Sequence, residues 1–95
     1  MVAFLKRLHE PIMRGDVTCS IRIWRRPQVK VGGRYRVGAG MIEVLSFRQI
    51  GFDDLTPDLA RRSGFAGLVD LLKTARHGSG ETLYLFTFRY LDQPD

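Results

Sequence analysis

Ninety-five residues, 44% of them hydrophobic and 26% charged, allow one domain with one modest core and exclude a cofactor-binding domain joined to a substrate domain. The formal net charge of +5 is unevenly spread, with +7 on residues 1–48 and −2 on residues 49–95, which points the first half toward a polyanionic partner. One cysteine excludes an internal disulfide framework.

No run approaches the ~20 apolar residues of a membrane span, and the start of the chain lacks a signal-peptide core, so a cytoplasmic location without a membrane partner is expected. The two histidines and one cysteine form no metal spacing, and neither GxxxxGK[ST] nor GxGxxG is present, so no metal and no cofactor is expected.

In chain order, the apolar run Val2–Leu5 predicts a first strand. Pro11 suits the first turn of a helix over Pro11–Arg14, and Gly15 takes the left-handed position that ends it. Thr18–Trp24 alternates as a strand. Cys19, Ile21 and Ile23 form an apolar face, while Thr18, Ser20, Arg22 and Trp24 share the other. Cys19 reads as a small buried hydrophobe. Arg25–Gly33 is a loop, broken by Pro27 and released by Gly32-Gly33. Arg34–Val37 is a strand, Gly38–Gly40 a tight connection, and Met41–Phe47 an antiparallel partner.

Thr56 caps a helix that starts at Pro57 and runs to about Ser63, stopped by Gly64. A second helix, from Phe65, carries Leu68, Leu71, Leu72 and Ala75 as its core stripe, with Lys73, Arg76 and His77 at its basic end. His77–Glu81 is a turn. Thr82–Leu91 is apolar on both faces and is predicted to be a central strand. Residues 92–95 are expected to fray. The sum is a single α+β domain over residues 1–95, a β pseudo-barrel of about five mostly antiparallel strands with short helices between them.

These elements, in this order, resemble the ASCH domain, a small relative of the PUA RNA-binding fold. The resemblance rests on Phe4-Leu5, Pro11–Arg14, Gly15 with Ile21-Arg22, Gly32–Val37, Leu55–Ala60 with Ser63-Gly64-Phe65, and Tyr84–Phe88. It covers about Phe4 to Leu91. It implies a PUA-like barrel and a partner that is RNA or a modified nucleoside. The family's run G-x-K-T-x-T-I-R stands here as Gly15–Arg22, with Val17 at the lysine and Ser20 at the second threonine. The Gly-Asp that opens the next strand is Gly32-Gly33.

Some bacterial members hydrolyse N4-acetylcytidine with a Lys, a Thr and a Glu. Those positions fall on Val17, Ser20 and a residue near Ser63, so only the Ser20 hydroxyl remains as a candidate nucleophile, and it needs a base. The expected function is therefore a noncatalytic RNA-binding module, with a nucleoside or RNA hydrolase as the alternative. Arg25, Arg26, Lys30, Arg34 and Arg36 are the candidate phosphate contacts. Trp24 is either a stacking platform for an unpaired base or a cover for the barrel edge. Thr18, Ser20 and Arg22 are candidates for a base edge or ribose hydroxyl. Arg22 has a second reading as half of an ion pair with Asp16 or Glu43.

Overall fold

A computed structural model describes residues 3–75 and 82–92. Alternating side chains build four strands: β1 Cys19–Trp24, β2 Arg34–Val37, β3 Gly40–Ile50 and β4 Thr82–Leu91. They form one antiparallel sheet in the order β1-β4-β3-β2, curled into half a barrel. β4 is central as its two apolar faces require, with Leu83–Phe86 and Phe88 buried. With the short helices α1 His9–Met13, α2 Pro57–Arg62 and α3 Leu68–Ala75, the architecture is α+β.

The first predicted strand does not form over its described part. Ala3–Leu5 is unpaired and runs into a 3₁₀ turn, Lys6–Leu8, whose Leu8 N–H donates to the Leu5 carbonyl at 2.9 Å. A single aromatic anchors this segment instead. Phe4 meets Phe88 edge-on at 5.6 Å and Phe86 at 6.4 Å, while Leu5 stays exposed. The described sheet therefore has four strands where about five were expected. The helix that follows begins at His9, two residues before Pro11. Proline remains within its first turn, where a missing N–H removes no intrahelical bond. Gly15 ends it at φ +82°, as its position suggested.

β3 extends to Ile50, beyond the predicted Phe47, because a bulge at Leu45 lets it keep pairing with β4. Before the bulge, Ile42 and Val44 lie opposite Tyr90 and Phe88; after it, Phe47 lies opposite Phe86, and Ser46, Arg48 and Ile50 turn to the other face.

α2 matches the sequence reading: the Thr56 hydroxyl accepts from the Leu59 N–H at 3.1 Å, and Gly64 follows at φ +97°. α3 starts at Leu68, not Phe65. The Asp70 carboxylate accepts the Ala66 N–H at 3.0 Å and so closes the preceding turn, leaving Phe65 to be buried from the connection itself. Arg76–Glu81, with the basic helix end and the turn, and Gln93–Asp95 lie outside the described residues. Phe86, Ile12, Ile42, Leu71, Val37 and Val44 are the large hydrophobic side chains most completely enclosed.

Candidate nucleic-acid interface

β1 is covered on both faces, so the side that carries Ser20, Arg22 and Trp24 is largely interior. Ser20 is 7% exposed and Trp24 8%. The Trp24 ring stacks on Phe86, 6.0 Å between centroids and 17° from parallel, and tilts against Tyr84 at 6.1 Å. Phe47 extends the same aromatic row by stacking on Tyr84 at 5.0 Å. Of the two readings of Trp24, the geometry is that of the barrel cover. The row forms because β4 puts Tyr84 and Phe86 on one face and the sheet brings Trp24 and Phe47 beside them.

Arg22 shares this face and is only partly enclosed. Its guanidinium lies 4.7 Å from the Phe4 ring centre and 6.0 Å from that of Trp24, and its Nε–H donates to the Ser20 hydroxyl at 2.9 Å. Burial pushes its pKa down to about 10, which leaves it cationic at neutral pH. Neither carboxylate suggested by the sequence is its partner. Asp16 pairs with Arg14 at 3.0 Å, and Glu43 holds Arg89 at 2.7 Å and Arg34 at 3.6 Å. No fully enclosed side-chain nitrogen or oxygen among the described residues lacks a hydrogen bond, so the Arg22 Nη groups, which have no protein partner there, reach solvent. The site is thus a recessed planar cation within cation–π reach of two rings. Phe4, one of those rings, was not visible as a site residue. Its contact with Arg22 depends on the docking of the N-terminal segment, which no local spacing encodes.

The remaining cations follow along the chain. Arg25, Arg26 and Lys30 are exposed on the loop after β1, and Arg34 and Arg36 are exposed on β2. The loop is fixed at its far end. Val29 is buried, the Lys30 N–H donates to the Tyr35 hydroxyl at 3.1 Å, and Gly32 and Gly33 exchange backbone bonds with Val44. A Cβ at Gly33 would come within 2.5 Å of the Tyr35 hydroxyl, so Tyr35 occupies the space that a side chain at position 33 would take. Among the described residues Arg25, Arg26, Lys30 and Arg36 have no carboxylate within ion-pair distance, whereas Arg34 shares Glu43 with Arg89. Thr18 precedes β1, exposed, with its carbonyl accepting from the Phe88 N–H at 2.9 Å.

Among the described residues no base is assembled with Val17, Ser20 and Ser63. Val17 is buried beside Gly64. Ser63, also buried, donates its hydroxyl to the Leu59 carbonyl at 2.7 Å, so it serves the end of α2. The only side-chain partner of the Ser20 hydroxyl among the described residues is a guanidinium, which cannot accept a proton. Cys19 is buried on the opposite face, where burial pushes its thiol pKa up and the Arg62 guanidinium partly opposes this. Among the described residues no three His, Cys, Asp or Glu side chains are grouped to hold a metal, and no helix is long and apolar enough to cross a membrane. Comparison with known proteins finds no matching family model, no matching curated protein and no matching solved structure.

Proposed function

We propose that this protein is a PUA-like RNA-binding module that holds single-stranded or modified RNA along the segment from Arg22 to Arg36. The observation that carries the reading is the run of exposed cations Arg25, Arg26, Lys30 and Arg36, unpaired among the described residues, on a loop and strand whose backbone is anchored at Val29, Tyr35 and Val44. Unpaired surface cations have no internal ion pair to give up when they meet phosphates, and an anchored backbone lowers the ordering cost of binding. Arg34 contributes less, because Glu43 already partly neutralises it.

In this reading Trp24 acts from within. With Phe4 it borders the Arg22 guanidinium, whose solvent-facing Nη groups donate to a base edge or ribose hydroxyl. Base edges are open in a single strand and much less so in a duplex, which favours RNA loops and ends.

Fluorescence anisotropy with a labelled single-stranded RNA, competed by duplex DNA and by polyglutamate, tests the reading. RNA should bind tightest, and R25Q/R26Q should weaken it. Equal binding of polyglutamate would overturn it in favour of an acidic protein partner. A preference for duplex DNA would overturn the single-strand assignment.

A further inference from the structure

The face of the sheet opposite Arg22 carries a separate cleft of about 310 Å³ between β1, β4 and β3 on one side and α2 with the preceding turn on the other. We propose that this cleft binds a small phosphomonoester with an apolar or aromatic body. Its cationic groups are Arg48, from β3, and Arg62, from the last turn of α2. Both are exposed, and neither has a carboxylate within ion-pair distance among the described residues. Two guanidinium groups lining one recess supply the planar N–H donors that a phosphate dianion accepts.

Two hydroxyls complete the polar wall. Ser46 and Thr87, adjacent across β3 and β4, are hydrogen-bonded at 2.6 Å. One hydroxyl hydrogen is used in that bond, and the other is free to be donated to a ligand oxygen. The floor is apolar, made of Ile50, Leu59 and Leu85, with the Cys19 thiol beside it. The one carboxylate among the described residues lining the cleft, Asp54, has Oδ2 engaged by the Gly51 N–H at 2.8 Å.

The bulge at Leu45 is what builds this wall. Strict alternation from Val44 would put Ser46, Arg48 and Ile50 on the Arg22 side of the sheet. The extra residue reverses the phase of β3, sends all three into the cleft and leaves Leu45 52% exposed. A cleft of this size suits a small ligand bound mainly by its phosphate and one small apolar group.

Phenyl phosphate is the probe, titrated into the ¹⁵N-labelled full chain and followed by amide shifts, with inorganic phosphate and benzyl alcohol as its two halves. The expected result is a saturable shift centred on Ser46, Arg48 and Thr87, weaker affinity for either half, and a loss of about tenfold or more in R48Q and in R62Q with an unchanged melting temperature. A 5′-phosphorylated RNA dinucleotide and its 5′-hydroxyl counterpart separate the two sources of the group. Selective shifts with the phosphorylated form identify an RNA end, and shifts with phenyl phosphate alone identify a free small molecule. No saturation, shifts concentrated on Arg25–Arg36, benzyl alcohol matching phenyl phosphate, or wild-type affinity in both variants would each overturn the proposal. R25Q/R26Q, which should weaken RNA, should leave phenyl phosphate binding unchanged, so failure of one site is distinguishable from failure of the other.

Discussion

Replacing Trp24 by alanine separates a core residue from a ligand platform. The indole is 8% exposed, stacked on Phe86 and tilted on Tyr84, and it borders the Arg22 guanidinium. Truncating an enclosed Trp typically costs about 3–5 kcal/mol, from lost transfer energy and the cavity left behind. Trp24 lies in the last pair of the β1–β4 ladder, opposite Thr82, where the sheet border can relax into the gap. The expected loss is therefore in the lower part of that range, about 3–4 kcal/mol, a large share of the roughly 5–14 kcal/mol available to a chain of this length. Trp24→Phe keeps one stacked ring and should lose only about 1–2 kcal/mol. Urea denaturation followed by circular dichroism reads both. With a slope of about 1.2 kcal/mol per molar, the alanine midpoint should fall by about 3 M. A surface platform would behave differently, since substitutions at exposed positions usually change stability by less than ~0.5 kcal/mol. An alanine variant with an unmoved midpoint and abolished RNA binding would refute the reasoning and return Trp24 to the interface.

Arg22→Met keeps the apolar stem beside Phe4 and Trp24 while removing the charge and the bond to Ser20. Stability should change by less than about 1.5 kcal/mol while RNA affinity falls about tenfold, as read by denaturation and anisotropy on the same sample. Gly64→Ala should destabilise by about 2 kcal/mol in the same urea assay, because the residue sits at φ +97° and a Cβ would come within 2.6 Å of Leu8 Cδ2. Glu43 has its carboxyl pKa held below the usual range, first by the hydrogen bond from Arg89 and further by the Arg89 and Arg34 charges. A lowered carboxyl pKa stabilises the fold above the unfolded value, near 4.3, and this contribution is lost as pH falls through the folded value. Glu43→Gln should therefore remove part of the acid-side decline in stability and change nothing in its slope near neutrality. An unaltered acid limb would show that the Glu43 cluster is not coupled to folding.

The sequence carried the fold well where the signal was local. β2 and β4 have their predicted ends, Thr56 caps α2, and the glycines at 15 and 64 take positive φ because the helices before them stop there. It misled where burial came from distant partners. Ser20, Arg22 and Trp24 look like an outward face when β1 is read alone, since two of the three are polar. Phe4, Tyr84 and Phe86 pack beside that face only after the sheet forms. The apolar run at Phe4-Leu5 resembles a strand by composition, yet one aromatic anchor holds it without pairing. The bulge at Leu45 was hidden for a related reason. VLSFRQI fits a strand in either phase, and only pairing with β4 fixes which side Ser46 and Arg48 take.

The salt dependence of RNA binding tests the central claim most directly. Anisotropy of a labelled single-stranded RNA would be measured across a salt series with the wild type and with a variant carrying R25Q, R26Q, K30Q and R36Q. If these four cations meet phosphates, log affinity should fall with log salt at a slope of about −2.8, from roughly 0.7 per contact on a single strand, and the variant slope should fall to the small remainder left by Arg34. Equal slopes in the two proteins, or wild-type binding indifferent to salt, would contradict the account.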